Sequence, residues 1–158
     1  RLPIAAAKLH RPSLNFLPVL EARLCREKTD CFTLLGLHAA RPGPAGPTGW
    51  RDAMLKFVAA RAAASHDGRV MVLGDLNATP WSRAMTNLMA ASGLRDAAIG
   101  SPFRSTWTSR FPLLGLPLDQ VLVGRAMGIV SRRVGRDIGS DHFPVIADLT
   151  LSAANPAR

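Results

Sequence analysis

A run of four apolar residues, Val70 to Leu73, sits between two segments of helical periodicity, and this placement constrains the fold more than any other feature. The run reads as a short buried strand. Before it, Trp50 to Ala64 carries Trp50, Ala53, Met54, Phe57 and Val58 on one stripe at 3–4 spacing, which predicts a helix facing a core. After it, Ser82 to Ala91 predicts a second helix that packs through Met85, Leu88 and Met89, with Ser82 as N-cap and Gly93 past its end. Upstream, Val19–Cys25 and Cys31–His38 read as two strands joined by the charged connection Arg26–Asp30, a hairpin whose second strand is apolar enough to be buried on both faces. Arg1 to Pro18 reads as irregular, and Ala39 to Gly49, rich in Pro and Gly, as a surface loop. Downstream, Leu94 to Pro117 is mostly loop with strand character at Ser105–Thr108, followed by strands at Leu118–Val123, Ile129–Val134 and Val145–Leu151. The order predicts one α/β (α+β) layered domain over 1–158, with a mixed sheet, flanking helices and a flexible tail at 152–158.

The chain has 158 residues and 47% apolar content, enough for a real core and too much for disorder. No stretch reaches about 18 uninterrupted apolar residues, so no membrane span is expected. The net charge of +9 favours phosphate-bearing partners, although Arg-rich composition alone also produces such a balance. Six Phe, three Trp and no Tyr argue against an aromatic platform for base stacking. Cys25 and Cys31 are the only cysteines; they could pair across the hairpin, and reduced thiols are the expectation.

Three polar clusters stand at predicted strand ends. Gly74-Asp-Leu-Asn-Ala-Thr-Pro-Trp-Ser82 follows the central run, and its Asp75 and Asn77, two apart in an extended segment, would face one space. Asp119 lies in the apolar run Leu118–Val123, where an unpaired buried carboxylate would be costly and a partner is therefore expected. Gly139-Ser-Asp-His-Phe-Pro144 precedes the last strand. Each cluster alone is an ordinary turn or a structural hydrogen bond. No Gly-x-Ser-x-Gly elbow and no phosphate-cradling Gly-x-x-x-x-Gly-Lys loop is present, and Ser140 beside Asp141-His142 makes no triad by adjacency.

With Gly93-Leu-Arg-Asp96 and Thr106-Trp107 between them, these motifs, in this order, resemble a bacterial branch of the endonuclease/exonuclease/phosphatase superfamily across about Phe32 to Leu151. The resemblance implies a two-sheet α/β sandwich, here partial, and divalent-metal phosphoesterase chemistry on a phosphodiester or phosphomonoester, with endo- or exonuclease action among the candidates. It implies that Asp75 deprotonates the attacking water, that Asn77 bonds a phosphoryl oxygen or positions that water, and that His142, oriented by Asp119, donates to a non-bridging oxygen. His38, at the end of its strand, would reach the phosphate; Asp141, with Asp75, would hold Mg²⁺ or Mn²⁺ or its water shell. Gln120 stands where relatives often carry a histidine or tyrosine. His10 and His66 are assigned no role, and Ser140 and Thr79 could add contacts or merely cap turns.

Relatives also place a strand-end asparagine and a metal-binding glutamate ahead of the matched region. Only Glu21 and Glu27 exist here, and neither sits where that ligand should. The expectation is a carboxyl-terminal portion of the family domain, lacking the principal metal ligand and weakly active or inactive by itself. An apolar sheet face left open would favour a homodimer. A non-catalytic interaction or nucleic-acid-binding module that keeps the fold is the alternative. The substrate could be DNA, RNA or a smaller phosphate ester, and the compartment, cytoplasm or a membrane reached through upstream sequence, stays open.

Overall fold

The computed structural model describes residues 2–12, 17–28, 30–42 and 48–152. Part of the Ala39–Gly49 loop and nearly all of the expected tail lie outside the described residues.

The strands are β1 (Ile4–His10), β2 (Val19–Cys25), β3 (Cys31–Gly36), β4 (Val70–Asp75), β5 (Arg95–Asp96), β6 (Asp119–Val123), β7 (Met127–Val134) and β8 (Val145–Leu151); the helices are α1 (Thr48–Ala63) and α2 (Arg83–Ser92). Six strands form one sheet in the order β1-β2-β3-β4-β6-β5, and β7 and β8 pair as a second, two-stranded sheet. Only β3 and β4 run parallel, and α1 supplies the crossover between them. The mixed α/β class read from the sequence holds.

The central run does what its position predicts. Val70 and Val72 are buried under the helices, together with Leu35, Met54, Leu55, Val58, Ala59, Met85 and Leu88. The stripe of α1 is shifted from the expected one: Leu55, Ala59 and Ala62 join Met54 and Val58, whereas Ala53 is exposed and Trp50 half-buried. The opposite sheet face, with Phe32, Met71, Leu73 and Val121, packs against Met127, Val145, Ala147, Leu149 and Leu151. That face is therefore only partly open, leaving an apolar groove of about 590 Å³ between the two sheets.

Two expectations need correction. Ile4–His10 is a strand, not irregular chain; it pairs antiparallel with β2 at the sheet edge. Its Ala-rich sequence shows no alternation because almost all of it is exposed, so only backbone pairing defines it. Cys25 and Cys31 form a disulfide instead of remaining thiols. They are directly opposed in the β2–β3 register, where hairpin closure brings the sulfurs together.

Candidate active site

Asp75 and Asp119 are partners at the final register position of the antiparallel β4–β6 ladder. The end of one strand and the start of the other therefore place two carboxylates side by side at one rim. His142 joins them. Its Nδ1 is 2.8 Å from Asp119 Oδ2 and its Nε2 is 3.9 Å from Asp75 Oδ2. An ionised carboxylate only accepts, so Nδ1 donates to Asp119 and Nε2 is the nitrogen left to face a substrate.

The loop carrying His142 is pinned from several sides. The His142 N–H donates to Ser140 Oγ at 3.1 Å, and the Phe143 N–H to Thr106 O at 2.8 Å. Trp107 bridges both Leu116 and His142, and the Arg41 guanidinium stacks 5.4 Å from the Trp107 ring. Thr106 is fully buried, and its hydroxyl oxygen accepts from the backbone N–H of Leu118 at 2.9 Å and of Asp119 at 3.0 Å. It fixes the strand start from which Asp119 projects. The sequence assigns neither Thr106 nor Trp107 a role; its signals there are the strand character of Ser105–Thr108 and the place of Thr106-Trp107 among the motifs that carry the family resemblance.

Asn77 reaches Asp75 by a route other than the expected extended one. Its φ is +46°, so the chain turns instead of alternating faces. The Asp75 carboxylate accepts the Asn77 backbone N–H at 2.8 Å through Oδ1, an Asx turn. The Asn77 amide donates to Asp75 Oδ2 at 3.3 Å and to Ala39 O at 2.8 Å. Both amide protons are taken, so its free group is the carbonyl oxygen, an acceptor. Arg51 on α1 secures the turn by donating to Asn77 O at 3.1 Å.

His38 follows β3 and is carried beside Asp75 because parallel pairing continues past the strand, with Leu37 N–H to Leu73 O at 3.1 Å and Ala39 N–H to Asp75 O at 2.8 Å. That approach requires Gly74, whose φ is +138° and where a Cβ would lie 1.8 Å from Leu37 O. His38 Nε2 is 3.3 Å from Asp75 Oδ2, and its ring is largely exposed. Three side chains thus converge on one oxygen of Asp75. Burial pushes the Asp75 carboxyl above the ordinary carboxylate range; the Asn77 N–H opposes this, the Asp119 charge adds to it, and His38 and His142 counter it. The result is a carboxylate more basic than an exposed one.

Asp141 is exposed and makes no side-chain hydrogen bond or ion pair with the described residues. Among the described residues no group of three or more His, Cys, Asp or Glu is arranged to hold a metal ion. The donors at the rim are also committed to one another, so the residues present do not fit a cation site on their own. Gln120 is buried on the other side of β6 and donates to Pro117 O at 2.6 Å. His10 pairs with Glu21 at 2.7 Å, remote from the rim along the edge hairpin.

The chain superposes on a functionally unknown conserved protein of Enterococcus faecalis (TM-score 0.76, 14% identity, 96% of this chain and 68% of that one). It also superposes on the human nocturnin catalytic domain with bound sulfate anion (TM-score 0.75, 17% identity, 96% and 61%). An endonuclease/exonuclease/phosphatase family protein of Bacteroides thetaiotaomicron is similar as well (TM-score 0.72, 15% identity, 94% and 63%). The chain therefore spans 61–68% of the length of these relatives. A comparison with curated protein sequences gives no match. The family model described as endonuclease/exonuclease/phosphatase matches residues 1–142, through the last of the rim residues, and the chain belongs to that family.

Proposed function

We propose that the rim hydrolyses a phosphate ester in the parent protein, with Asp75 as general base and His142 as electrophilic stabiliser. The observation that carries this reading is the position of His142, bonded to Asp119 through one nitrogen and directed at Asp75 through the other. A phosphoryl group entering between Asp75 and His142 would meet a proton acceptor on one side and a donor on the other. Water attacks phosphorus; the new P–O bond forms from the water oxygen as the ester P–O bond breaks, the water proton passes to Asp75, and the leaving oxygen takes its proton from solvent. For Nε2 to donate while Nδ1 donates to Asp119, the ring must carry both protons. Asn77 acts as a positioning residue: its amide protons hold the Asp75 carboxylate, and its carbonyl oxygen can accept from the attacking water. His38 offers a second donor at the exposed mouth.

No step is assigned to a divalent cation. Mg²⁺ or Mn²⁺ dependence belongs to the reading through the family, and Asp141 with Asp75 would contribute oxygen ligands only alongside others. Turnover by this chain alone is expected to be slow. The lack of a three-ligand cluster among the described residues favours one second reading, a binding module that keeps the rim without catalysis. The apolar groove between the sheets is the surface on which the proposal places a second copy of the chain, and a monomer by light scattering removes that part.

The test is a titration of the imidazole resonances with inorganic phosphate, then turnover of a generic phosphodiester with Mn²⁺. The reading expects the His142 resonance to move and Asp75→Asn to lower turnover by about 10²-fold or more. Turnover that Asp75→Asn leaves undiminished, or phosphate that leaves His142 unmoved, overturns it.

A further inference from the structure

Beside the rim lies a basic recess that none of the reactions above uses. It has two lobes of about 700 and 290 Å³, and both are lined by Phe103, Arg104 and Arg132. The lobes adjoin site residues. Phe143, on the larger lobe, follows His142, and the Arg132 guanidinium, on both lobes, is near enough to Asp119 to feel its charge. Trp81, also on the smaller lobe, ends the turn that begins at Asp75.

Arg132 is half-buried on β7, yet its guanidinium makes no hydrogen bond or ion pair with the described residues. Burial pushes its guanidinium below its ordinary value, and only the more distant charges of Asp96 and Asp119 offset this. A guanidinium stays charged, so its desolvation is only partly offset until an anion supplies acceptors. Arg104 is exposed and likewise without a partner among the described residues. Among the described residues the only carboxylate lining the lobes is Asp96, whose Oδ1 is taken up by the Ala98 N–H at 2.8 Å.

The second component is aromatic. Trp81 and Phe103 have ring centroids 6.2 Å apart and tilted by 37°, and they are 64% and 63% exposed. Two large rings held that open beside unpaired guanidiniums form a surface for a flat, apolar group attached to a phosphate. A nucleobase meets both requirements, whereas a sugar or a lipid headgroup uses only the arginines. Total aromatic content argued against such a platform; local placement overrides it, because two rings suffice.

We propose that this recess is a nucleotide subsite: Arg132 and Arg104 take the phosphate adjoining the scissile one, and Trp81 with Phe103 stacks its base, so the substrate is a single-stranded nucleic acid. The proposal rests on the phosphoesterase reading for its placement but not for its test.

The experiment measures fluorescence anisotropy of a labelled single-stranded hexanucleotide on the full chain in the Asp75→Asn background, which separates binding from turnover. Arg132→Gln and Trp81→Ala are each expected to weaken binding by about tenfold, with a shallower salt dependence for Arg132→Gln alone. Arg104→Gln, at a fully surface position, gives the same direction without risk to folding. A base-free sugar-phosphate oligomer of equal length is expected to bind more weakly and to be insensitive to Trp81→Ala. Equal binding by all variants, or equal binding of the base-free oligomer, overturns the subsite. Phosphodiester turnover that Asp75→Asn leaves undiminished overturns the catalytic reading instead and leaves the oligonucleotide result standing.

Discussion

The carboxylates of Asp75 and Asp119 confront each other across the last rung of the β4–β6 ladder, and a single imidazole, that of His142, spans the space between them. Like charges opposed on a strand pair destabilise it. Here the repulsion is retained and answered by histidines and an Asx turn. The arrangement costs the fold something and sets a basic carboxylate oxygen beside an imidazole nitrogen.

Asp75→Asn should lower phosphodiesterase turnover by about 10²- to 10⁴-fold, the usual worth of a general base. The same substitution should raise the melting temperature at neutral pH. Its folded-state pKa is raised, so the folded chain holds the proton more tightly than the unfolded chain. Stability contributed by this group is therefore gained as pH falls through the raised value and lost above it. Thermal scans across the window from the ordinary carboxylate pKa, about 4, upward should show this slope in the native chain and a weaker one in the variant.

The acid limb of the pH–rate profile should lie above the ordinary carboxylate range, because the base must be ionised and its pKa is raised mainly by burial. Asp119→Asn should move this limb slightly down, because the Asp119 charge is a lesser cause than burial, while reducing turnover by about 10²-fold or more, since the ring then loses the partner that fixes its Nδ1 proton. Initial rates over the pH range for both chains check the split.

Thr106→Val removes the acceptor of two buried backbone N–H groups, those of Leu118 and Asp119. A loss of about 2–4 kcal/mol is expected from two unsatisfied donors. Urea unfolding measures it, and turnover normalised to folded protein should fall as well, because Asp119 loses its anchor.

Gly74→Ala should be among the most damaging single changes in the chain. The added Cβ meets the Leu37 carbonyl oxygen at 1.8 Å, a backbone atom that cannot swing aside, at a φ of +138°. We expect about 3 kcal/mol or more of destabilisation. Expression and thermal melting against a Gly93→Ala control, where a Cβ meets nothing within 4 Å, separate the clash from the general cost of a positive φ.

Reducing the Cys25–Cys31 bond should lower stability by about 2 kcal/mol on the chain-entropy model for so short a loop. Because the pair lies at the hairpin's far end from the rim, phosphate binding at His142 should be unaffected. Melting with and without dithiothreitol reads the first outcome, and the phosphate titration reads the second.

Much of this was legible in the sequence where side chains are sorted by burial. Val70–Leu73, the capped helix after Ser82 and the apolar run Leu118–Val123 each announce an element through pattern, and the expense of a lone carboxylate in that run calls for a partner for Asp119, which only the family resemblance names as His142. The illegible parts are those fixed by backbone. β1 has almost no buried face, so nothing in its residues marks it. The turn at Asn77 hides behind an apparently alternating sequence, since Leu76 is buried and Asp75 is not displaced by it. The disulfide depends on hairpin register, which spacing alone leaves open. Trp81 and Phe103 stand 22 positions apart in the chain, too far for composition to reveal that they meet.

The last rung of the ladder also carries a hazard. Sliding β6 by one position against β4 would set Gln120 or Leu118 across from Asp75 and turn the Asp119 side chain to the opposite side of the sheet. His142 would then lose its anchor while every residue of the rim remained in the sequence. Strand alignment, held at the start of β6 by one buried threonine hydroxyl, is thus as much a determinant of the proposed chemistry as the acids and the imidazole themselves.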